Sequence, residues 1–139
     1  MESIPDSHLD LLTDPNVGVL TTIMPDGTPQ NSLVWLDWDG TYVTVNTTKE
    51  KRKGKNMLEN PKVGIIVVDP KNSDRWISIQ GDVEIETTDV IKHLNDLTAK
   101  YTKHTQFYGQ VYPLEQQYKE TRIICKIKPK KVLILKPFN

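Results

Sequence analysis

The chain has few of the features that most often carry chemistry on their own. It holds one cysteine among 139 residues, Cys125, so no internal disulfide can form. That usage suits a reducing compartment. The three histidines, His8, His93 and His104, show no metal-ligand spacing with one another or with Cys125, and no metal is expected. There is no phosphate-binding glycine loop, no dinucleotide fingerprint and no nucleophile elbow. Net charge is missing too: 18 Lys and Arg balance 18 Asp and Glu. Such a balance argues against nucleic-acid or membrane binding by the surface as a whole. The longest apolar run, Gly64 to Val68, is far too short to cross a bilayer. Met1 to Asp6 shows no basic region followed by an apolar stretch, so no signal peptide is expected. No repeat, low-complexity tract or linker divides the chain. The expectation is one cytoplasmic domain over residues 1–139, with a core of its own.

What is present reads mainly as strands. Ser7 to Thr13 can form a short helix, which Asp14-Pro15-Asn16 breaks. Val17 to Met24 and Gln30 to Asp37 flank the turn signal Pro25-Asp26-Gly27-Thr28. Thr41 to Thr47 follows the tight-turn dipeptide Asp39-Gly40, which predicts a three-stranded meander. Lys49 to Asn60 is helical and stops at Asn60-Pro61. Val63 to Val68 is a continuous β-branched run, expected to be buried on both faces. Trp76 to Glu86 alternates, with Ile77, Ile79, Val83 and Ile85 on one face. Gly81 within it predicts a bulge or a close backbone approach. Thr88 to Tyr101 is an amphipathic helix that Thr88 could cap, and residues 102–119 carry no clear pattern. Arg122 to Ile127 and Lys131 to Leu135 read as two closing strands around Lys128-Pro129-Lys130. About seven short antiparallel strands with two or three helices favour a closed or nearly closed barrel, because closure removes exposed edges. Leu33 to Trp38 and Val63 to Val68 carry large apolar residues at successive positions. One barrel interior buries only one such face, so a second subunit is expected.

The chief anomaly is Thr47 to Asn56, where Lys49, Lys51, Arg52, Lys53 and Lys55 gather five cations in a chain of zero net charge. They stand at the start of a helix, whose free N–H groups and dipole favour anions. Cations there oppose the dipole, which gives a ligand something to explain. A solvated basic face is the other reading of the same run. Aromatic residues do not interleave with these lysines, which argues against an RNA surface. Gln30 to Trp35 mixes amide, hydroxyl and apolar side chains on one strand. It could edge a heteroaromatic ring or form a barrel strand with one wet face. Trp35, Trp38 and Trp76 suit a ring pocket, a core or an interface. Cys125 shares an apolar face with Ile123 and Ile127 and reads as a buried, inert thiol. No acid–base set is evident, and a cofactor that carries hydride chemistry itself needs none.

Three stretches together resemble the pyridoxamine 5′-phosphate oxidase-like split-barrel family, most closely its small F420-dependent branch. They are Gly18 to Ile23 with Asp26 to Gln30, Val45 to Thr48 with Lys51 to Met57 and Asn60 to Val63, and Arg75 to Val83. The resemblance covers roughly residues 8–135. It implies a mainly β, α+β fold: an FMN-binding-type split β-barrel, antiparallel and Greek-key, with flanking helices. It also implies a homodimer with two cofactor sites at the subunit interface. By position, Lys51, Arg52, Lys53 and Asn56 match the phosphate-binding segment, with lysine at Lys51 where arginine is common. Gln30, Ser32 and Val34 match the strand along the ring, and Asn46, Thr47 and Thr48 the strand end beside it. Coenzyme F420 is the cofactor implied, with FMN as the alternative, since extra lysines such as Lys49 and Lys55 suit a longer anionic tail. The activity implied is hydride transfer to a small unsaturated substrate, with a non-catalytic cofactor binder or carrier as the alternative. The ending Lys136-Pro137-Phe138-Asn139 lacks the arginine-containing terminus of genuine pyridoxamine phosphate oxidases, so that activity is not expected.

Overall fold

The computed structural model describes residues 2–137, so Met1 of the N-terminal reading and Phe138 and Asn139 of the C-terminal reading lie outside the described residues. Among the described residues seven strands form one antiparallel sheet: β1 Gly18–Ile23, β2 Pro29–Val34, β3 Asp37–Trp38, β4 Val43–Thr48, β5 Lys62–Asp69, β6 Asn72–Glu86 and β7 Arg122–Leu135. Their order is β2-β1-β5-β6-β7-β4-β3. The sheet curls into a split barrel flanked by helices α1 Leu9–Thr13, α2 Arg52–Glu59 and α3 Val90–Tyr101. Leu20, Val43, Val45, Ile77, Ile79, Ile123, Cys125 and Ile127 fill the interior, closed by Leu11 and Leu12 of α1 and Met57 of α2. None of the described helices is long and apolar enough to cross a membrane.

Both turns expected of the meander form, joining β1 to β2 and β3 to β4, but the two hairpins lie at opposite ends of the sheet order. β4 lies between β7 and β3. The chain leaves the sheet at Trp35-Leu36 because α3 takes over the backbone there. The Leu36 N–H donates to the Tyr101 hydroxyl (3.1 Å), and the Leu36 carbonyl accepts from Lys100 Nζ (2.7 Å). With those groups satisfied by side chains, no sheet neighbour is required.

The two closing strands are one. β7 runs through Pro129, with Lys130 as the extra residue opposite Gln80 and Gly81. Proline has no N–H to give a ladder and is tolerated at such a bulge. A Cβ on Gly81 would lie 2.0 Å from the Lys128 carbonyl oxygen, so both features expected of Gly81 occur together.

Other departures are local. β5 alternates instead of burying both faces: Val63, Ile65 and Val67 enter the core while Ile66 and Val68 are exposed. α2 begins at Arg52, later than the basic run suggests. Thr88 does not cap α3. The Glu86 carboxylate accepts from the Thr87 and Thr88 N–H groups, and Asp89 turns the chain into the helix at φ 56°. The unpatterned stretch 102–119 is organised by a 3-10 turn at Leu114–Tyr118 and by Phe107 and Tyr108, which pack with Leu94 in a second cluster.

Gly81→Ala forces β6 and β7 apart at the bulge and should cost about 1–3 kcal/mol. Gly64→Ala, whose Cβ would meet nothing nearer than 3.8 Å, should change stability by less than about 0.5 kcal/mol. Urea unfolding checks both, and equal midpoints for the two variants would contradict the close approach.

Candidate functional site

A cavity of about 360 Å³ opens where the end of β4 meets β2, α3 and the 102–119 segment. One wall is apolar: Leu33, Val34 and Trp35 from β2 and its continuation, Leu94 and Leu97 from α3, and Phe107. Trp35 is fixed by stacking on Tyr101 (5.4 Å between centroids) and by an edge contact with Phe107 (6.3 Å). The other wall is polar and cationic: Asn46, Thr47, Lys51, Lys53 and Arg122.

The charge on that wall is poorly compensated. Lys53 is half-buried, and desolvation first, then Lys51 and Arg122, hold its amine below the usual lysine range. Among the described residues neither Lys51 nor Lys53 has a carboxylate within ion-pair distance. Arg122 is buried, with its guanidinium carbon 4.9 Å from the centre of the Phe107 ring and 5.6 Å from that of Tyr108. Its Nε donates to the Tyr108 hydroxyl (2.8 Å), and Nη2 lies 3.4 Å from the Glu120 carboxylate. The net charge of this wall is therefore positive. Beside it, the hydroxyl of Thr47 is buried with no hydrogen-bond partner. A buried polar atom without a partner costs roughly 1–3 kcal/mol, so an acceptor or donor from a ligand would recover that cost. Clustered, half-desolvated cations and an orphaned hydroxyl next to a flat apolar wall suit an anionic group joined to an aromatic ring.

The local fold explains how α2 brings its lysines here. A Cβ on Gly54 would lie 1.9 Å from the Thr48 carbonyl oxygen, so only glycine lets the helix rest on the end of β4. The Thr48 hydroxyl accepts from the Lys51 N–H (3.2 Å) and fixes the helix start.

Of the residues singled out from the sequence, Val34, Asn46, Thr47, Lys51 and Lys53 line this cavity. Thr48 does not line it but seats the start of α2 through its hydroxyl and carbonyl. Gln30 and Asn56 meet elsewhere: the buried Asn56 amide donates to Thr22 Oγ1 (3.0 Å) and reaches Gln30 Oε1 (3.4 Å), tying α2 to β1 and β2. Asn56 Oδ1 is left unpartnered there. Ser32 is half-buried on the same face of β2, and Arg52 is exposed; neither lines the cavity. Arg122, Leu94, Leu97 and Phe107 were not singled out. Arg122 looked like an ordinary strand start, and only the pairing of Thr48 with Arg122 across β4 and β7 brings it to the lysines.

Cys125 is fully buried, and burial pushes its thiol up to about 12, with Lys53 acting weakly in the opposite sense. In the folded protein at pH 8 it should resist a thiol-reactive disulfide reagent and react fully in denaturant. Rapid labelling of the native protein would contradict its placement.

Comparison with known proteins gives a consistent picture. The family model described as pyridoxamine 5′-phosphate oxidase matches residues 4–136. No curated protein matches by sequence. A solved F420 reductase is 30% identical, covers 94% of this chain and 98% of its own, and superposes with a TM-score of 0.80. A conserved hypothetical protein from Mycobacterium tuberculosis is 22% identical over 96% of this chain and 85% of its own, with a TM-score of 0.74. General Stress Protein 26 from Bacillus anthracis is 19% identical over 89% and 87%, with a TM-score of 0.62. The last two likenesses speak to the fold alone. With its split barrel and a family match spanning nearly all of the sequence, the chain belongs to the pyridoxamine 5′-phosphate oxidase family.

Proposed function

We propose that this protein is an oxidoreductase that binds coenzyme F420, or alternatively FMN, in the cavity at the end of β4, and that it works on a small unsaturated substrate in the cytoplasm. The observation that carries this reading is the pairing of Lys51, Lys53 and Arg122 with an orphaned Thr47 hydroxyl beside an apolar wall. The likeness to an F420 reductase at 30% identity supports the deazaflavin over the flavin. When bound, the cofactor supplies the hydride chemistry. The protein's own part is positional. Lys51 and Lys53 hold the phosphate, and Thr47 adds a hydroxyl. Val34, Trp35 and Leu94 exclude water from one side of the ring. A pure cofactor carrier would share all of this, and turnover with candidate acceptors separates the two.

The same reading makes the protein a homodimer. Leu33, Ile66, Val68, Leu133 and Leu135 are all exposed on the outer face of the sheet. Register brings Leu33, Val19, Ile66, Ser78 and Leu133 into one row across five strands, with Val68, Trp76 and Leu135 in the next. An apolar patch of this continuity fits a second copy. Val17 and Leu33, both exposed, also line the cavity, so a copy covering this face would reach its rim.

Two measurements test this. Lys53→Ala should weaken F420 or FMN binding about tenfold to a hundredfold, because a charge-assisted hydrogen bond contributes roughly 1.5–3 kcal/mol. Its thermal unfolding should be nearly unchanged. A change of less than about twofold in a folded variant, titrated at two salt concentrations, would return the lysines to a solvated surface. Ile66→Asp should turn a dimer into a monomer by light scattering, and a wild-type monomer at micromolar concentration with cofactor present would overturn the assembly.

A further inference from the structure

His93 takes no part in the cavity wall, yet it is tied to it by a chain of hydrogen bonds. On β4, Thr44 and Asn46 stand two residues apart and therefore on one face, and α3 lies across that face. Asn46 Nδ2 donates to the Val90 carbonyl (2.9 Å) and also faces His93 Nδ1 (3.1 Å). His93 Nε2 faces Thr44 Oγ1 (3.0 Å). At the other end of the amide, Asn46 Oδ1 faces Arg122 Nη1 (3.5 Å).

The donors and acceptors assign themselves. A backbone carbonyl only accepts and a guanidinium only donates, so these two partners identify which end of the Asn46 amide is nitrogen and which is oxygen. Its N–H then points at His93 Nδ1, which must accept. The imidazole is therefore neutral, with its proton on Nε2 and donated to Thr44. A second proton would set an N–H of His93 against an N–H of Asn46 at 3.1 Å. The amide would have to turn, abandon the Val90 carbonyl and present its NH2 to Arg122.

We propose that His93 is a positioning residue for the cofactor site: by accepting from Asn46 it keeps the amide oxygen on Arg122 and the cationic wall in order. The proposal rests on the cofactor reading above. The charged groups around His93 are Asp37 on β3, Asp39 in the turn after it, and Lys92 and Asp96 on α3. Arg122 bears on it through Asn46, and Lys126 stands opposite Thr44 in the β4–β7 ladder. Lys100 pairs with Asp37 (3.2 Å), and Lys92 with Asp96 (2.9 Å), which weakens the pull of those carboxylates on a proton. Burial, the largest influence on His93, favours the neutral ring and holds it below the usual histidine range. The sign follows: the ordered wall needs the unprotonated ring, so affinity is complete above about pH 6.5 and falls as pH drops through the lowered value.

The flavin phosphate and the deazaflavin ring have their own titrations, so the test compares variants. Coenzyme F420 and FMN are each titrated into wild type, His93→Gln and His93→Leu at pH 8 and at a pH low enough for nitrogen NMR to show His93 doubly protonated in the folded wild type. Glutamine can accept from Asn46 and donate to Thr44, but it does not titrate. At pH 8, His93→Gln should bind within about threefold of wild type and His93→Leu roughly tenfold more weakly. Between these two pH values the wild type should lose several-fold more affinity than His93→Gln. Parallel pH profiles for those two proteins would overturn the proposal. An independent readout is nitrogen NMR of the histidines in the cofactor-free protein. The Nε2–H tautomer of His93 is expected, and an Nδ1–H or doubly protonated ring at pH 7 would overturn it. Failure of wild type to bind either cofactor at pH 8 would instead refute the cofactor reading and leave the tautomer result standing.

Discussion

The site depends on one steric permission. Gly54 has no Cβ, and so α2 can settle onto the Thr48 carbonyl. That contact sets the helix start beside the strand end and carries Lys51 and Lys53 to the mouth of the barrel. Once there, the two amines share one wall of the cavity with Arg122, and among the described residues neither has a carboxylate within ion-pair distance. The resulting repulsion is a cost the folded chain bears without a ligand. It can be sustained because the rest of the barrel is held by a close-packed interior that runs from α1 to β7.

How much of this the sequence made legible varies with the range of the interaction. The turn at Pro25 to Thr28 and the alternation of β6 are local and legible from neighbours in the chain, and Gly81 is legible as a glycine in mid-strand although the backbone it admits, at Lys128, is distant. The basic run was readable as an anomaly of composition. What could not be read were arrangements fixed by distant partners. The two hairpins part company because Tyr101 and Lys100, more than sixty residues on, take the Leu36 backbone out of the sheet. Nothing near Arg122 in the chain announces that β7 pairs with β4. By position Gln30 matches the strand along the ring and Asn56 the phosphate-binding segment. Their side chains bind each other and Thr22 instead, joining helix to hairpin. Asn46 and Lys53, which line the cavity, lie in the stretch that carries the resemblance to the family.

The segment after α3 connects the parts. Phe107 faces the cavity, stacks edge-on to Trp35, and lies under Arg122. Tyr108 holds the Arg122 Nε and donates to Glu120 (2.6 Å). Aromatic side chains on a stretch with little regular structure thus set the position of a buried guanidinium. Glu120 supplies the counter-charge that makes that burial tolerable.

The extra residue at Lys130 also governs which way the end of the chain faces. Up to Ile127 the odd-numbered residues of β7 enter the core, and after the bulge Val132 and Ile134 do so instead. One inserted residue thus shifts the phase of the strand. The first half can continue the interior, while Leu133 and Leu135 are delivered to the outer row with Ile66 and Val68. A relative that lost this residue would keep nearly the same composition and turn the last stretch of its barrel inside out, with its outward leucines in the core. Length at this point in the strand is therefore held more tightly than side-chain identity, the reverse of what holds in a surface loop.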